Sequence, residues 1–244
     1  MVSLSSADVV TSVTQQPSLD EIEALSQSFE AQEASALLSW AANKYGDQLV
    51  LACSLGPEDL VLIDLLSRVY PGLQAFFLDT DFHFVETMAL KDQIQARYPD
   101  MHLEIVKPLL TVKQQADQHG AELYTTAPDQ CCGIRKVEPL NRVLSGYDAW
   151  ITGMRRQQAP TRASIGKVQW DVKRSMLKLN PLADWTEEQV WAYITANGIP
   201  YNPLHDQNYP SIGCTHCTAP VQPGEDPRSG RWQGQGKTEC GLHT

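Results

Sequence analysis

Four of the six cysteines in this chain of 244 residues occur in two close pairs. Cys131 and Cys132 are adjacent, and Cys214 and Cys217 form a C-x-x-C motif that encloses His216, which we interpret as a bystander. The C-x-x-C spacing lets two thiolates reach one metal centre, and four thiolates suit zinc or a 4Fe-4S cluster. Adjacent cysteines point in different directions and would strain a single zinc ion, which favours the cluster. Zinc, and a redox dithiol for the C-x-x-C alone, stay open as alternatives.

Cys240 lies apart from these pairs, in the segment from Lys237 to His243. A cysteine in an irregular terminal segment contributes little to packing, so burial is a poor reason for its presence. The basic neighbours Lys237 and His243 give it electropositive surroundings, which favour a nucleophilic thiolate. An incidental surface thiol is the alternative. Cys53, in contrast, lies in an apolar run and is interpreted as a small buried side chain.

Charge is divided unevenly along the chain, whose formal net charge is −10. Residues 1–130 carry 6 basic and 19 acidic residues, whereas residues 131–244 carry 13 basic and 10 acidic ones. The acidic total argues against a nucleic-acid-binding protein, because such proteins present a basic face. The basic second half is suited to a small anionic ligand held by a few arginines, with a solvated acidic surface as the alternative.

Neither a membrane span nor a secretory signal is predicted. No apolar run approaches the roughly 18–20 residues that a span needs. Residues 1–16 have no basic start and no sustained apolar stretch. We therefore expect a soluble, cytoplasmic protein that binds no membrane and keeps its thiols reduced.

Short apolar runs alternate with helical patterns and would position these residues. The runs are 49–52, 75–78, 103–106 and 149–152, with helical patterns at about 58–69, 85–97, 111–119 and 134–145. This alternation predicts an α/β fold with a doubly wound, mostly parallel sheet. Residues 54–59, 79–81 and 153–156 each follow a strand, so we expect them at the carboxyl edge, where ligands bind in such sheets.

Three regions are predicted along the chain. Residues 1–17 form a disordered N-terminal tail, and residues 18–200 form the α/β domain, which begins with a capping box at Ser18 and Glu21 and helices over 19–44. A last helix runs to Asn197. Residues 201–244 lack periodicity and are predicted to be an irregular, mobile C-terminal segment, since so long an unstructured stretch is uncommon unless it moves or is ordered from outside.

Six segments resemble the assimilatory adenylyl-sulfate (APS) reductases, which are close relatives of the 3′-phosphoadenylyl-sulfate (PAPS) reductases. The segments are 54–59, 78–81, 131–140, 152–156, 211–217 and the terminal Glu-Cys-Gly-Leu-His at 239–243. The four paired cysteines point to the cluster-containing branch. The resemblance implies an adenine nucleotide α-hydrolase-like fold and thioredoxin-dependent reduction of APS to sulfite and AMP, through an S-sulfonate on Cys240, in sulfate assimilation and cysteine biosynthesis.

The resemblance also implies roles for individual residues. One 4Fe-4S cluster per subunit would be held by Cys131, Cys132, Cys214 and Cys217, and Cys240 would be the catalytic nucleophile. The substrate-binding candidates are Ser54, Gly56, Asp59, Lys136, Arg155, Arg156, Arg162, Arg228, Arg231 and His243. The C-terminal segment would act as a lid that carries Cys240 in, then out to thioredoxin or a similar thiol donor. Family members are commonly homo-oligomers.

Three alternative functions are compatible with parts of the sequence. A dual-specificity or PAPS-preferring reductase differs only in detail, because a 3′-phosphate needs one extra basic contact. An ATP-dependent tRNA-thiolating enzyme of the same fold usually carries a Ser-Gly-Gly-x-Asp-Ser loop, which residues 54–59 do not match. An iron–sulfur regulator of DNA would need a basic recognition helix, which is not found. Ala219 stands where many relatives have Arg, so one basic contact is missing or supplied by another group.

Overall fold

The structure is a computed structural model that describes residues 17–234, 237 and 239–243. The predicted N-terminal tail lies outside the described residues except for Pro17. The first two helices are α1 (Leu19–Glu30) and α2 (Ala34–Tyr45). Ser18 caps α1 through the expected reciprocal bonds, in which Glu21 N donates to Ser18 Oγ and Ser18 N donates to the Glu21 carboxylate.

Six strands form one sheet in the order β3-β2-β1-β4-β6-β5. They are β1 (Leu49–Cys53), β2 (Gln74–Leu78), β3 (His102–Val106), β4 (Ala149–Ile151), β5 (Val168–Asp171) and β6 (Met176–Leu179). All neighbours are parallel except β5 and β6, which pair antiparallel. The mostly parallel α/β sheet is therefore confirmed. The β5–β6 hairpin was not predicted, because each strand has four residues and Gln169 and Lys178 interrupt its apolar pattern.

The remaining helices connect the strands and cover the sheet. They are α3 (Pro57–Val69), α4 (Val85–Arg97), α5 (Val112–His119), α6 (Leu123–Thr126), α7 (Pro128–Cys132), α8 (Glu138–Leu144) and α9 (Glu187–Ala196). A π-helical turn, Gly133–Val137, joins α7 to α8. The helical pattern predicted from about residue 134 thus begins earlier, at Pro128, which is favoured in the first turn of a helix, and Cys131 and Cys132 end α7.

Strand residues alternate between two cores on opposite faces of the sheet. Leu49 and Leu51 belong to the larger core, which also contains residues of α1, α2, α3, α4 and α9. Val50, one position away, belongs to the smaller core with Trp150 and residues of α8, as the two-residue period of a strand requires. Leu242 of the C-terminal segment packs against this smaller core and so covers part of its face.

Beyond Ile199 the chain is irregular, as predicted. Its described part contains short 3-10 turns, Pro203–Gln207 and Thr215–Cys217, and an isolated antiparallel bridge between Thr218 and Arg231. None of the described helices combines the length and apolarity that crossing a membrane requires.

Candidate active site

A cavity of about 530 Å³ lies at the carboxyl ends of β1, β2 and β4. β1 pairs with β2 on one side and β4 on the other, and ligands bind at such switch points of α/β sheets. The structure brings every predicted catalytic and substrate-binding residue to the wall of this cavity: Ser54, Gly56, Asp59, Lys136, Arg155, Arg156, Arg162, Arg228, Arg231, Cys240 and His243.

The loop after β1 is closed by its own carboxylate. The Ser54 backbone N and Oγ donate to Asp59 Oδ2 at 2.6 and 2.7 Å, and Leu55 adopts a positive φ of 62° between them. Burial raises the pKa of Asp59 to about 6, although the bonds from Ser54 act in the opposite direction. Asp59 therefore fixes the loop that begins α3.

Gly153 lets the loop after β4 pass close to the N-terminus of α3. A Cβ on Gly153 would lie 2.7 Å from Asp59 Oδ1 and 2.8 Å from Glu58 Cβ, closer than real Cβ atoms come to such neighbours. Two residues later, Arg155 Nε donates to Glu58 Oε1 at 2.7 Å in a buried ion pair. The cationic loop and the acidic first turn of α3 are thereby joined.

Arg156 is bound to the first helix of the domain. Its two terminal nitrogens donate to the two carboxylate oxygens of Glu30 at 2.5 and 2.9 Å, and its Nε donates to Ile165 O at 2.9 Å. The hydrogen bonds from Arg156 hold the pKa of Glu30 below its usual value. Although Arg156 contributes to the cavity wall, its positive charge is paired with the carboxylate of Glu30 in α1.

Glu239, which precedes Cys240, is bound by two arginines of the cavity. Arg162 donates to both of its carboxylate oxygens, from Nε at 3.1 Å and from Nη2 at 2.9 Å to each. Arg228 Nη2 lies 3.3 Å from Glu239 Oε2. No role was predicted for Glu239, whose only signal in the sequence is its place in the terminal motif.

The last described residues lie against the smaller core. The His243 ring stacks on Trp150 with 5.7 Å between ring centroids and 18° between planes. Burial, reinforced by the positive charges of Lys178 and Arg162, holds the pKa of His243 well below its usual value. His243 is therefore neutral near neutral pH, and its contribution to an anion site is a hydrogen bond rather than a charge.

A second, smaller void adjoins the cavity and is lined by four thiols, those of Cys131, Cys132, Cys214 and Cys217. Lys136 and Cys214 line both spaces, so one wall is shared. Burial lowers the pKa of Lys136, but interaction with the nearby Cys214, Cys240 and Cys132 side chains outweighs this and the pKa lies above its usual value. Lys136 is thus a half-buried cation close both to the thiol void and to Cys240.

Polar side chains of the loop after β2 and of α5 contact the thiols. Thr80 Oγ1 lies 3.4 Å from Cys214 Sγ, and Gln115 Nε2 donates to Cys131 Sγ at 3.8 Å. Burial, with a smaller contribution from Cys214, raises the pKa of the Cys217 thiol to about 11. Across residues 17–234, 237 and 239–243, no three His, Cys, Asp or Glu side chains are grouped as around a single metal ion.

Aromatic rings form the outer wall of the thiol void. His216, predicted to be a bystander, stacks on Tyr124 with centroids 3.9 Å apart and 6° between planes, and Phe82 meets both rings edge-on. Behind Phe82 lies Arg135, which is fully buried and pairs with Asp81 at 3.0 Å. No spacing in the sequence identifies these contacts.

Arg231 and Lys237 connect the C-terminal segment to the thiol void. Arg231 Nη1 donates to Ser211 Oγ at 3.0 Å, and a Cβ on Gly213 would overlap its guanidinium. Lys237 Nζ donates to Asp129 Oδ1 at 2.6 Å, on the helix that carries Cys131 and Cys132. Lys237 and Asp129 are 108 positions apart, so no local pattern could have paired them.

Comparison with known proteins yields one family. Residues 48–220 match the phosphoadenosine phosphosulfate reductase domain. The chain is similar to a phosphoadenosine 5′-phosphosulfate reductase of Gloeobacter violaceus (57% identity; 91% of this chain and 93% of the relative covered) and to an adenosine 5′-phosphosulfate reductase of Shouchella clausii (49%; 95% and 96%). The crystal structure of a PAPS reductase from Candida auris, a phosphate complex, superposes with a TM-score of 0.74 at 31% identity, covering 83% of this chain and 98% of that one.

Proposed function

This chain belongs to the phosphoadenosine phosphosulfate reductase family, and we propose that it reduces adenosine 5′-phosphosulfate to sulfite and AMP with Cys240 as nucleophile. Membership makes it an oxidoreductase that acts on the sulfur of a phosphosulfate, on the adenine nucleotide α-hydrolase-like fold. The observation that carries the proposal is the position of Cys240 on the wall of the cavity that also contains Lys136, Arg231 and the loop closed by Asp59.

The proposed reaction has two steps. The Cys240 thiolate attacks the sulfur of the phosphosulfate, so that an S–S bond forms and the S–O bond breaks, and AMP leaves with the electron pair of that bond. A dithiol such as reduced thioredoxin then attacks Cys240 Sγ and expels sulfite, and its second thiol resolves the mixed disulfide. The two electrons that reduce the sulfur come from this dithiol, which ends as a disulfide.

The residues of the cavity provide the electrostatics of the first step. A thiolate and a phosphosulfate repel each other, and fixed cations that face both reduce this cost. Lys136 and Arg231 are half-buried cations on the cavity wall, and both are close enough to Cys240 for its charge to affect their pKa values. Neutral His243 offers a hydrogen bond on the wall of the same cavity. We assign these three residues to the phosphosulfate and the loop at 54–59 to the nucleotide phosphate.

We propose that the four-thiol void holds a 4Fe-4S cluster rather than a single zinc ion. The proposal is supported by four thiols that line one space, two of them adjacent in the sequence. Cys131, Cys132, Cys214 and Cys217 would hold the cluster through its four irons. When bound, the cluster would add a fixed, polarisable charge beside Lys136. Anaerobically purified protein should then be brown and contain iron and acid-labile sulfide in equal amounts; colourless protein that contains zinc would contradict the assignment.

APS and PAPS are the two candidate substrates. The relative at 57% identity carries the name of a PAPS reductase and the one at 49% that of an APS reductase, so identity alone does not choose between them. We propose APS, with dual specificity as the alternative, because the four thiols are typical of the APS branch that the sequence resembles. Comparing sulfite release from APS and from PAPS with reduced thioredoxin decides: higher kcat/KM with PAPS would contradict the proposal.

The central experiment traps the intermediate. Incubation with APS and without a thiol donor should add one sulfonate to the peptide that contains Cys240, and added thioredoxin should release it as sulfite. Cys53→Ser, a buried thiol outside the mechanism, is the matched control and should still form the adduct. Sulfite release without an adduct would show that Cys240 is not the nucleophile. We also propose that the enzyme is cytoplasmic and homo-oligomeric. Size-exclusion chromatography with light scattering tests the oligomeric state.

A further inference from the structure

Arg162 gives almost all of its hydrogen-bonding capacity to protein groups. Its Nε and Nη2 bind the Glu239 carboxylate, and its Nη1 donates to Gln158 Oε1 at 2.5 Å. The Arg162 side chain is 10% exposed and that of Glu239 is 20% exposed. A guanidinium used in this way has little left with which to bind a substrate.

We propose that Arg162 is the receptor for Glu239 and a positioning residue for Cys240, rather than a ligand of the phosphosulfate. The inference rests on the proposed function in that Cys240 is the nucleophile. We call the hydrogen bonds from Arg162 Nε and Nη2 to the Glu239 carboxylate the Arg162–Glu239 fork. Glu239 and Cys240 are consecutive, so their Cα atoms are about 3.8 Å apart and this fork sets the position of the Cys240 backbone. Arg162 itself is buried and ends a short 3-10 turn, Pro160–Arg162, between β4 and β5, which makes it a fixed point for the C-terminal segment.

The other contacts of the C-terminal segment do not fix the direction of the chain at Cys240, whereas the fork does. Before Cys240, Lys237 is bound to Asp129; after it, Leu242 packs on the smaller core. Both contacts flank the nucleophile, and the Arg162–Glu239 fork lies directly beside it. A two-point Arg–carboxylate pair fixes direction as well as distance, whereas a single ammonium contact or an apolar contact does not. Losing Arg162 leaves Glu239 with only its longer contact to Arg228, and losing Glu239 leaves the buried Arg162 charge without its carboxylate. Either change favours release of the segment.

Alkylation of Cys240 in the substrate-free protein tests the fork directly. Iodoacetamide labelling, measured by mass spectrometry on the Cys240 peptide, should be about tenfold faster in both Arg162→Gln and Glu239→Gln than in the parent protein. Simple electrostatics predicts opposite effects, because neutralising Glu239 favours a neighbouring thiolate and neutralising Arg162 disfavours it. Equal acceleration therefore reports release. Arg97→Gln, whose guanidinium binds backbone carbonyls of residues 197 and 198, is the matched control.

Substrate affinity separates the two possible roles of Arg162. In a Cys240→Ser background, which cannot form the adduct, Arg162→Gln and Glu239→Gln should change the Kd of APS by the same factor, because each releases the segment that carries His243, whereas the first-step rate in the Cys240 parent should fall at least about tenfold. A tenfold weaker Kd for Arg162→Gln alone would overturn the proposal, because it would mean that Arg162 binds the phosphosulfate.

A conservative variant and a double variant distinguish a positioning role of Arg162 from a loss of folding. Arg162→Lys keeps the charge without the fork and should recover only part of the rate, and the Arg162→Gln, Glu239→Gln double variant should be no worse than either single variant. If the loss in rate of the double variant equals the sum of the losses of the two single variants, Arg162 and Glu239 do not share one role. If the parent protein forms no Cys240 adduct, the proposed function fails while the alkylation result still tests the fork; if it does and labelling is unchanged in both variants, the fork alone fails.

Discussion

The cavity has two walls that are built in different ways. The wall formed by the loops after β1 and β4 is held by backbone geometry and close packing, with Leu55 at positive φ and Gly153 against Asp59. The wall formed by the C-terminal segment has little regular structure and is held by side-chain contacts such as those of Lys237, Glu239 and Leu242. The first wall is therefore part of the fold, whereas the second depends on a few side-chain contacts, which is compatible with the proposed delivery of Cys240 to a protein reductant.

Removing the nucleophile gives the sharpest contrast. Cys240→Ser should abolish sulfite release, lowering kcat at least about a thousandfold, because hydroxyl is a far weaker nucleophile than thiolate. The Tm and visible spectrum should stay as in the parent, since Cys240 belongs to neither core. Sulfite assay and thermal unfolding on the same preparations check this. A large drop in Tm would mean that the C-terminal wall is as integral to the fold as the other.

Gly153→Ala should destabilise the wall formed by the loops after β1 and β4. The new Cβ would overlap Asp59 Oδ1 and Glu58 Cβ, and we expect a loss of about 3 kcal/mol in the free energy of unfolding. Denaturant titration measures it. Gly146→Ala, whose Cβ would have only Val143 O at 3.6 Å, is the matched control. Equal effects in the two variants would show that the close approach at Gly153 has no special importance.

The pKa of Asp59 predicts a pH dependence confined to the same wall. Its folded value of about 6 lies above the ordinary 3.8, so the folded state holds a proton that the unfolded state has released. The contribution to stability is complete below the ordinary pKa and is lost as pH rises from about 4 to about 7, through the folded pKa, by about 3 kcal/mol. Asp59→Asn should remove this part of the pH profile of unfolding. A variant profile parallel to that of the parent would contradict the assignment.

Leu242→Ala should have the smallest effect. Leu242 is only partly buried against the smaller core, so truncation should cost about 1 kcal/mol of segment docking and lower kcat a few-fold. The unfolding free energy should not change measurably, because the sheet and its helices keep their contacts. Leu109→Ala, at an exposed apolar residue, is the control for kcat. Loss of global stability would again argue against a separable wall.

The sequence was informative where local pattern decides structure. The apolar runs that became β1 to β4 were predicted to within a residue or two, and α4 has the predicted bounds. Cysteine spacing identified the four thiols that line one void. Local patterns could not predict pairings between distant residues. Arg155 and Glu58 are 97 positions apart, and Arg156 and Glu30 are 126 positions apart. Which arginines keep their charge for a ligand depends on these pairings, so the candidate list could name cations but not rank them.

The π-helical turn between α7 and α8 reconciles two demands on one stretch of chain. The helix before it must aim Cys131 and Cys132 at the thiol void, and the helix after it must bury Leu140 and Val143 in the smaller core. A helix advances about 100° per residue, so one widened turn shifts the phase between the two ends by roughly that angle. Shortening the turn by a single residue would leave one end misdirected, which makes the length of this stretch as constrained as its composition.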